Sequence, residues 1–183
     1  MDTHLLLEQL TRFEQRVQHL YETFGNRTGW PAEVCFFWNS MAADERHHWA
    51  ILERSAGLLD LIESPPQVSE TLLAAIDGKI TAAETVARKP DLSNDEALQH
   101  ALILEGSEIN SLDEAWFQGF HSSLGSLLQA MTPDEDVHIH RLVNAVHAFS
   151  SNKALQEQAA TLWANFQRGK LGLTQARGSQ APQ

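Results

Sequence analysis

The chain has 183 residues, 43% hydrophobic and 20% charged, with 13 Lys and Arg against 24 Asp and Glu for a formal charge of −11. This composition excludes wholesale disorder and suits one domain of ordinary size, while the acid excess argues against a surface built to track phosphates or anionic lipid. The single cysteine, Cys35, excludes an internal disulfide and every centre built on paired thiolates, so any metal has to be held by His and carboxylate.

The N-terminal stretch lacks the basic start and apolar region of a signal peptide. No apolar run approaches the roughly 20 residues of a bilayer span. The expectation is a soluble cytoplasmic protein with neither nucleic acid nor membrane as a partner. Leu6, Leu10, Phe13, Val17, Leu20 and Phe24, at spacings of 4, 3, 4, 3 and 4, predict a first helix over about 3–24 with a bundle seam. The run Gly25 to Pro31 breaks it, and Pro31 suits the start of a second helix that reaches about Leu58. Its seam is Val34, Trp38, Met41, Glu45, His48 and Leu52.

After Ser64-Pro65-Pro66, a shorter helical stretch is predicted from about Val68 to Arg88. Ser93 and Glu96 stand in capping-box relation and open a third long helix running to about His121, with a seam of Leu98, Leu102, Glu105, Ile109, Leu112 and Trp116. Thr132, Pro133 and Glu135 start a fourth helix, which pauses near 150–152 before Ala154 to Phe166 resumes helical spacing. The pattern divides into a helical domain over 1–169 and a polar, disordered tail over 170–183. The fold class is all-α, with four main helices and a long, partly helical crossover between the second and third.

Charged residues on a seam need an explanation, because burying an unpaired carboxylate costs several kcal/mol. Glu45 and His48 fall on the second seam at i and i+3, where one cation can be held by both. Glu105 interrupts the third seam, and Glu108 lies one turn further along. Glu14 is bracketed by Leu7, Leu10, Val17 and Tyr21 on the first helix. On the fourth, His140, Asn144 and His147 share a face. If the third and fourth helices turn near residue 127, Glu105 and Glu108 lie level with about 149 and 146, close to His147 and Asn144. The literal Glu135-x-x-His138 lies at a different level on this count and is set aside.

One Glu on the first helix, Glu-x-x-His on the second, Glu on the third and a His-bearing pair on the fourth resemble the ligand arrangement of ferritin-like di-iron four-helix bundles. Glu14 followed seven residues later by Tyr21, and Glu105-x-x-Glu108, are similar to the rubrerythrin group. The resemblance covers roughly residues 3–150. It implies a ferritin-like bundle with two iron ions, manganese being the other candidate. Glu45 and Glu105 would bridge the metals, Glu14 and His48 would complete one shell, and His147 would serve the other. Asn144 stands where the family has a carboxylate, a departure that Glu108 or His140 could offset. Tyr21 would bond a ligand carboxylate from behind it.

The function implied is binding of iron and activation of O2 or peroxide, as an oxidase, peroxidase or ferroxidase. With one cysteine there is no attached rubredoxin domain, so electrons would come from a separate donor. The alternatives are a structural or interaction protein with a degenerate or empty site, its acids neutralised by Arg46-type neighbours or buried His, and a protein with a single regulatory metal. The aromatic run Phe36, Phe37 and Trp38, with Trp49 nearby, reads as packing, and Phe36 or Phe37 as a homodimer contact. Cys35 reads as a small buried hydrophobe, and His4, His19, His47, His100, His121 and His138 as surface or interface residues.

Overall fold

A computed structural model of the chain describes residues 2–61, 68–107 and 135–178; side chains at 61, 135, 136 and 169–178 lie outside the description. The described residues are helical, without strands. The helices are α1 (Thr3–Gly25), α2 (Ala32–Ser55), α3 (Glu70–Ala87), α4 (Asn94–Glu105), α5 (Glu135–Phe149) and α6 (Lys153–Gly178), with a 3-10 turn over Ala56–Leu61 after α2.

Asp2 caps α1 by accepting the His4 N–H at 2.8 Å. One stripe of α1, from Leu6 to Phe24, is buried together with Glu14 and Tyr21. Gly29 takes a φ of +88° in the turn that follows, a left-handed conformation that costs glycine little. Pro31 then serves as N-cap of α2. The short connection makes α1 and α2 an antiparallel pair, the most extensive helix contact among the described residues. At its end they approach closely: a Cβ on Gly25 would lie 2.6 Å from the Asn39 side chain. Every residue of the expected α2 seam is buried, Glu45 and His48 included.

The crossover helix α3 buries Leu73, Ile76, Ile80 and Ala83 and packs on α1 and α4. Arg16 ties it to α1, bonding Glu84 at 2.8 and 3.0 Å and Thr81 at 2.9 Å and pairing with Asp77. Arg27 donates to the Ala87 carbonyl at the end of α3 at 3.2 Å, a favourable place for a cation beside unpaired helix carbonyls.

The expected capping box opens α4: Glu96 N–H donates to Ser93 Oγ at 3.2 Å and Ser93 N–H to Glu96 Oε2 at 3.0 Å. The helix differs from the expectation at its other end. It stops at Glu105, with Gly106 as C-cap, rather than running to about His121. Thr132 and Pro133, the expected start of the next helix, and the seam residues Ile109, Leu112 and Trp116 lie outside the described residues. Helix α5 packs on α2, α4 and α6. The last helix runs on to Gly178 where the sequence reading placed a disordered tail from 170; residues 170–178 contain no proline to interrupt it. No helix among the described residues is long and apolar enough to cross a membrane.

Phe37 is 6% exposed and packs against Phe149, whereas Phe36, one position before it, is 75% exposed.

Candidate metal centre

Four helices deliver titratable side chains to one buried layer. From α1 comes Glu14, from α2 Glu45 and His48, from α4 Glu105 and from α5 His138, all within the buried interior. They form two triads that could each hold a metal ion: Glu14, Glu45 and His48 in one, Glu45, Glu105 and His138 in the other. Glu45 belongs to both.

In the first triad His48 Nδ1 lies 3.1 Å from Glu45 Oε2 and 3.6 Å from Glu14 Oε2. In the second, His138 Nε2 lies 3.3 Å from Glu45 Oε1 and 3.2 Å from Glu105 Oε2. Glu45 thus turns one oxygen to each histidine. Although His138 Nε2 is buried between two carboxylates, it makes no hydrogen bond of good geometry with either. The two imidazole rings meet edge to face, 5.5 Å between centroids.

The surroundings fix the ligand atoms. His138 Nδ1 faces Asp44 Oδ2 at 3.1 Å, and Asp44 is held in turn by Arg141. An imidazole bonded to a carboxylate at one nitrogen presents its other nitrogen in a set direction. Tyr21 donates its hydroxyl to Glu105 Oε1 at 2.6 Å, which leaves Oε2 toward His138.

The electrostatics are those of charges gathered in a dry place. Burial, then the negative charge of Glu45, pushes the Glu14 carboxyl from 4.5 up to about 8, with His48 acting in the opposite direction. Burial alone would raise Glu105, but the positive charge of the adjacent His138, with the Tyr21 hydroxyl, outweighs it, and its pKa is lowered. For His138 burial works against protonation and is overcome by Glu105, Asp44 and Glu45, which hold it well above the usual imidazole range. Tyr21 is raised well above the phenol range, first by burial and then by the charges of Glu105 and Glu45. The protein therefore puts a positive charge of its own, the His138 imidazolium, between the carboxylates.

The structure corrects the α5 assignment. His140, Asn144 and His147 do share a face, but that face is exposed. His140 lies against the Trp163 ring, 5.1 Å between centroids, and 3.4 Å from the Asn144 amide. None of the three joins the cluster. Because α4 ends at Glu105, depth cannot be counted by residue number across a turn near 127, and that count had favoured His147 over His138. A sequence signal was available: His138 is in phase with the buried Ile139, Leu142, Val143 and Val146, whereas His140, Asn144 and His147 are in phase with the exposed Val137 and Ala148. Glu108 lies outside the described residues. Arg46 pairs with Glu22 at 2.8 Å rather than with Glu45, so it is not the neutralising cation.

No protein-family model, curated protein or solved structure matches the chain.

Proposed function

We propose that the chain is a di-metal carboxylate protein that binds two iron ions and uses them to activate O2 or peroxide. The observation that carries this reading is the pair of buried Glu and His triads sharing Glu45. The donor set fits: carboxylate oxygen and imidazole nitrogen without thiolate suit Fe²⁺ or Mn²⁺, and His138 Nε2 sits between two carboxylates without a good hydrogen bond to either. Bound there, the ions would supply Lewis acidity and one-electron chemistry toward O2 or peroxide.

The remaining work falls to this chain's own side chains. Glu45 would contribute to both sites, with Glu14 and His48 completing one and Glu105 and His138 the other. Asp44 accepts from His138 Nδ1–H and so directs Nε2 toward Glu45 and Glu105, and Tyr21 restrains one oxygen of Glu105. Metal binding would displace the protons held by Glu14 and His138. Three carboxylates leave two divalent ions one charge short of four.

A second reading, an interaction protein with an empty cluster, is favoured by the self-neutralising His138 pairing with Glu105 and Asp44. Anaerobic Fe²⁺ titration with elemental analysis separates the two. About two ions per chain are expected from the two triads; no bound metal would refute the proposal and leave the second reading.

A further inference from the structure

Tyr21 is the only tyrosine in the chain. It is fully buried, with its hydroxyl on Glu105. Its ring centroid lies 5.5 Å from that of Trp38, which is also fully buried. Phe24 meets Trp38 edge on at 4.8 Å and reaches Trp30 at 6.3 Å. Trp30 is half-buried in the turn between α1 and α2. An aromatic row thus runs from the carboxylate and histidine cluster to the surface. Apolar packing would be served by phenylalanine throughout. Tyrosine and tryptophan are the side chains in that row that give up one electron at moderate potential, and they stand at its start, middle and end.

We infer that Tyr21, Trp38 and Trp30 form a one-electron conduit between the surface turn and the buried cluster. The conduit itself does not need a metal; its use in turnover, with O2 or peroxide as oxidant and a small ascorbate-like donor at Trp30, rests on the proposed function. When Tyr21 is oxidised, one electron leaves the ring and the O–H bond breaks. The proton passes along the existing 2.6 Å hydrogen bond to Glu105 Oε1, forming a carboxylic O–H. The tyrosyl oxygen recovers its electron from Trp38 and its proton from Glu105, and Trp30 refills Trp38 across Phe24. Arg27 stands 5.6 Å from the Trp30 ring. A cation there disfavours a resting positive charge on Trp30, so the oxidised state settles inward on Tyr21.

The test uses metal-free full-length protein, so its failure is distinct from failure of metal binding. A photo-oxidised ruthenium tris-bipyridine complex in solution withdraws an electron at the surface, and the tyrosyl radical is followed by EPR and transient absorption. Wild type is expected to give a tyrosyl signal, assignable to Tyr21 because no other tyrosine exists, and Tyr21→Phe none. Trp30→Phe and Trp38→Phe are expected to slow its formation by about tenfold or more, as an added barrier of about 1.4 kcal/mol would. Trp49→Phe, off the row, leaves it unchanged. Trp30→Phe alters only a half-buried turn, so it decides the matter even if Trp38→Phe fails to fold. No tyrosyl signal in wild type, or formation indifferent to Trp30, overturns the conduit.

Discussion

Replacing Glu14 with Gln should stabilise the metal-free protein in alkaline solution while costing it a metal ion. The Glu14 carboxyl is 3% exposed, and burial with the Glu45 charge lifts it from 4.5 to about 8. Between these values the folded chain holds a proton that the unfolded chain has released, so stability falls as pH rises through this window and is level above it. The window of about 3.5 pH units, at about 1.4 kcal/mol each, sets a ceiling of roughly 5 kcal/mol. Water entry and side-chain relaxation reduce this, and we expect about 2 to 5 kcal/mol. A neutral Gln keeps the shape without the titration. Urea unfolding followed by circular dichroism, with chelator present, should show wild type and Glu14→Gln nearly equal at pH 5 and the variant more stable by that amount at pH 9. His138 adds a fall of the same sign in both proteins: its contribution is complete below about 6.5 and lost as pH rises through its higher folded value. The Gln variant should also lose one equivalent in the anaerobic Fe²⁺ titration. Parallel pH profiles for the two proteins would refute the reasoning, because Glu14 would then titrate as an ordinary carboxylate.

Other changes separate the cluster from its surroundings. His138→Ala should remove one bound metal equivalent, whereas His147→Ala and Asn144→Ala should leave the count at the wild-type value; elemental analysis of loaded protein checks all three. Asp44→Asn keeps the shape beside His138 but loses the charge, and competition titration should show metal affinity lower by roughly 10- to 100-fold. Arg16→Ala removes the link to Glu84, Thr81 and Asp77 on α3 without touching the cluster. Thermal unfolding should fall by a few degrees, for a loss of about 1 kcal/mol, with metal stoichiometry unchanged.

Local pattern carried much of the molecule. The 3- and 4-residue spacing of Leu6 to Phe24 and of Val34 to Leu52 defined α1 and α2 and put Glu14, Glu45 and His48 on buried faces, because side-chain direction along a helix follows from its period alone. Ser93 and Glu96 marked the start of α4 because a capping box satisfies the first free N–H groups by short-range bonds. Where the pattern failed, the missing quantity was not local. The end of α4 at Glu105 invalidated a depth count that assumed an unbroken helix to His121, and with it the choice of His147.

By itself, then, the sequence determined that this is a helical protein with carboxylates and a histidine on faces that ought to be apolar. It also ruled out centres built on paired thiolates, since one cysteine cannot supply a pair. Only the tertiary structure decided which residue of α5 completes the second triad. That depends on the axial register between helices far apart in the chain, as in the approach of His138 to Asp44 across 94 positions. Helical periodicity fixes the face a residue occupies. Its height against another helix is set by the path and packing of everything between them.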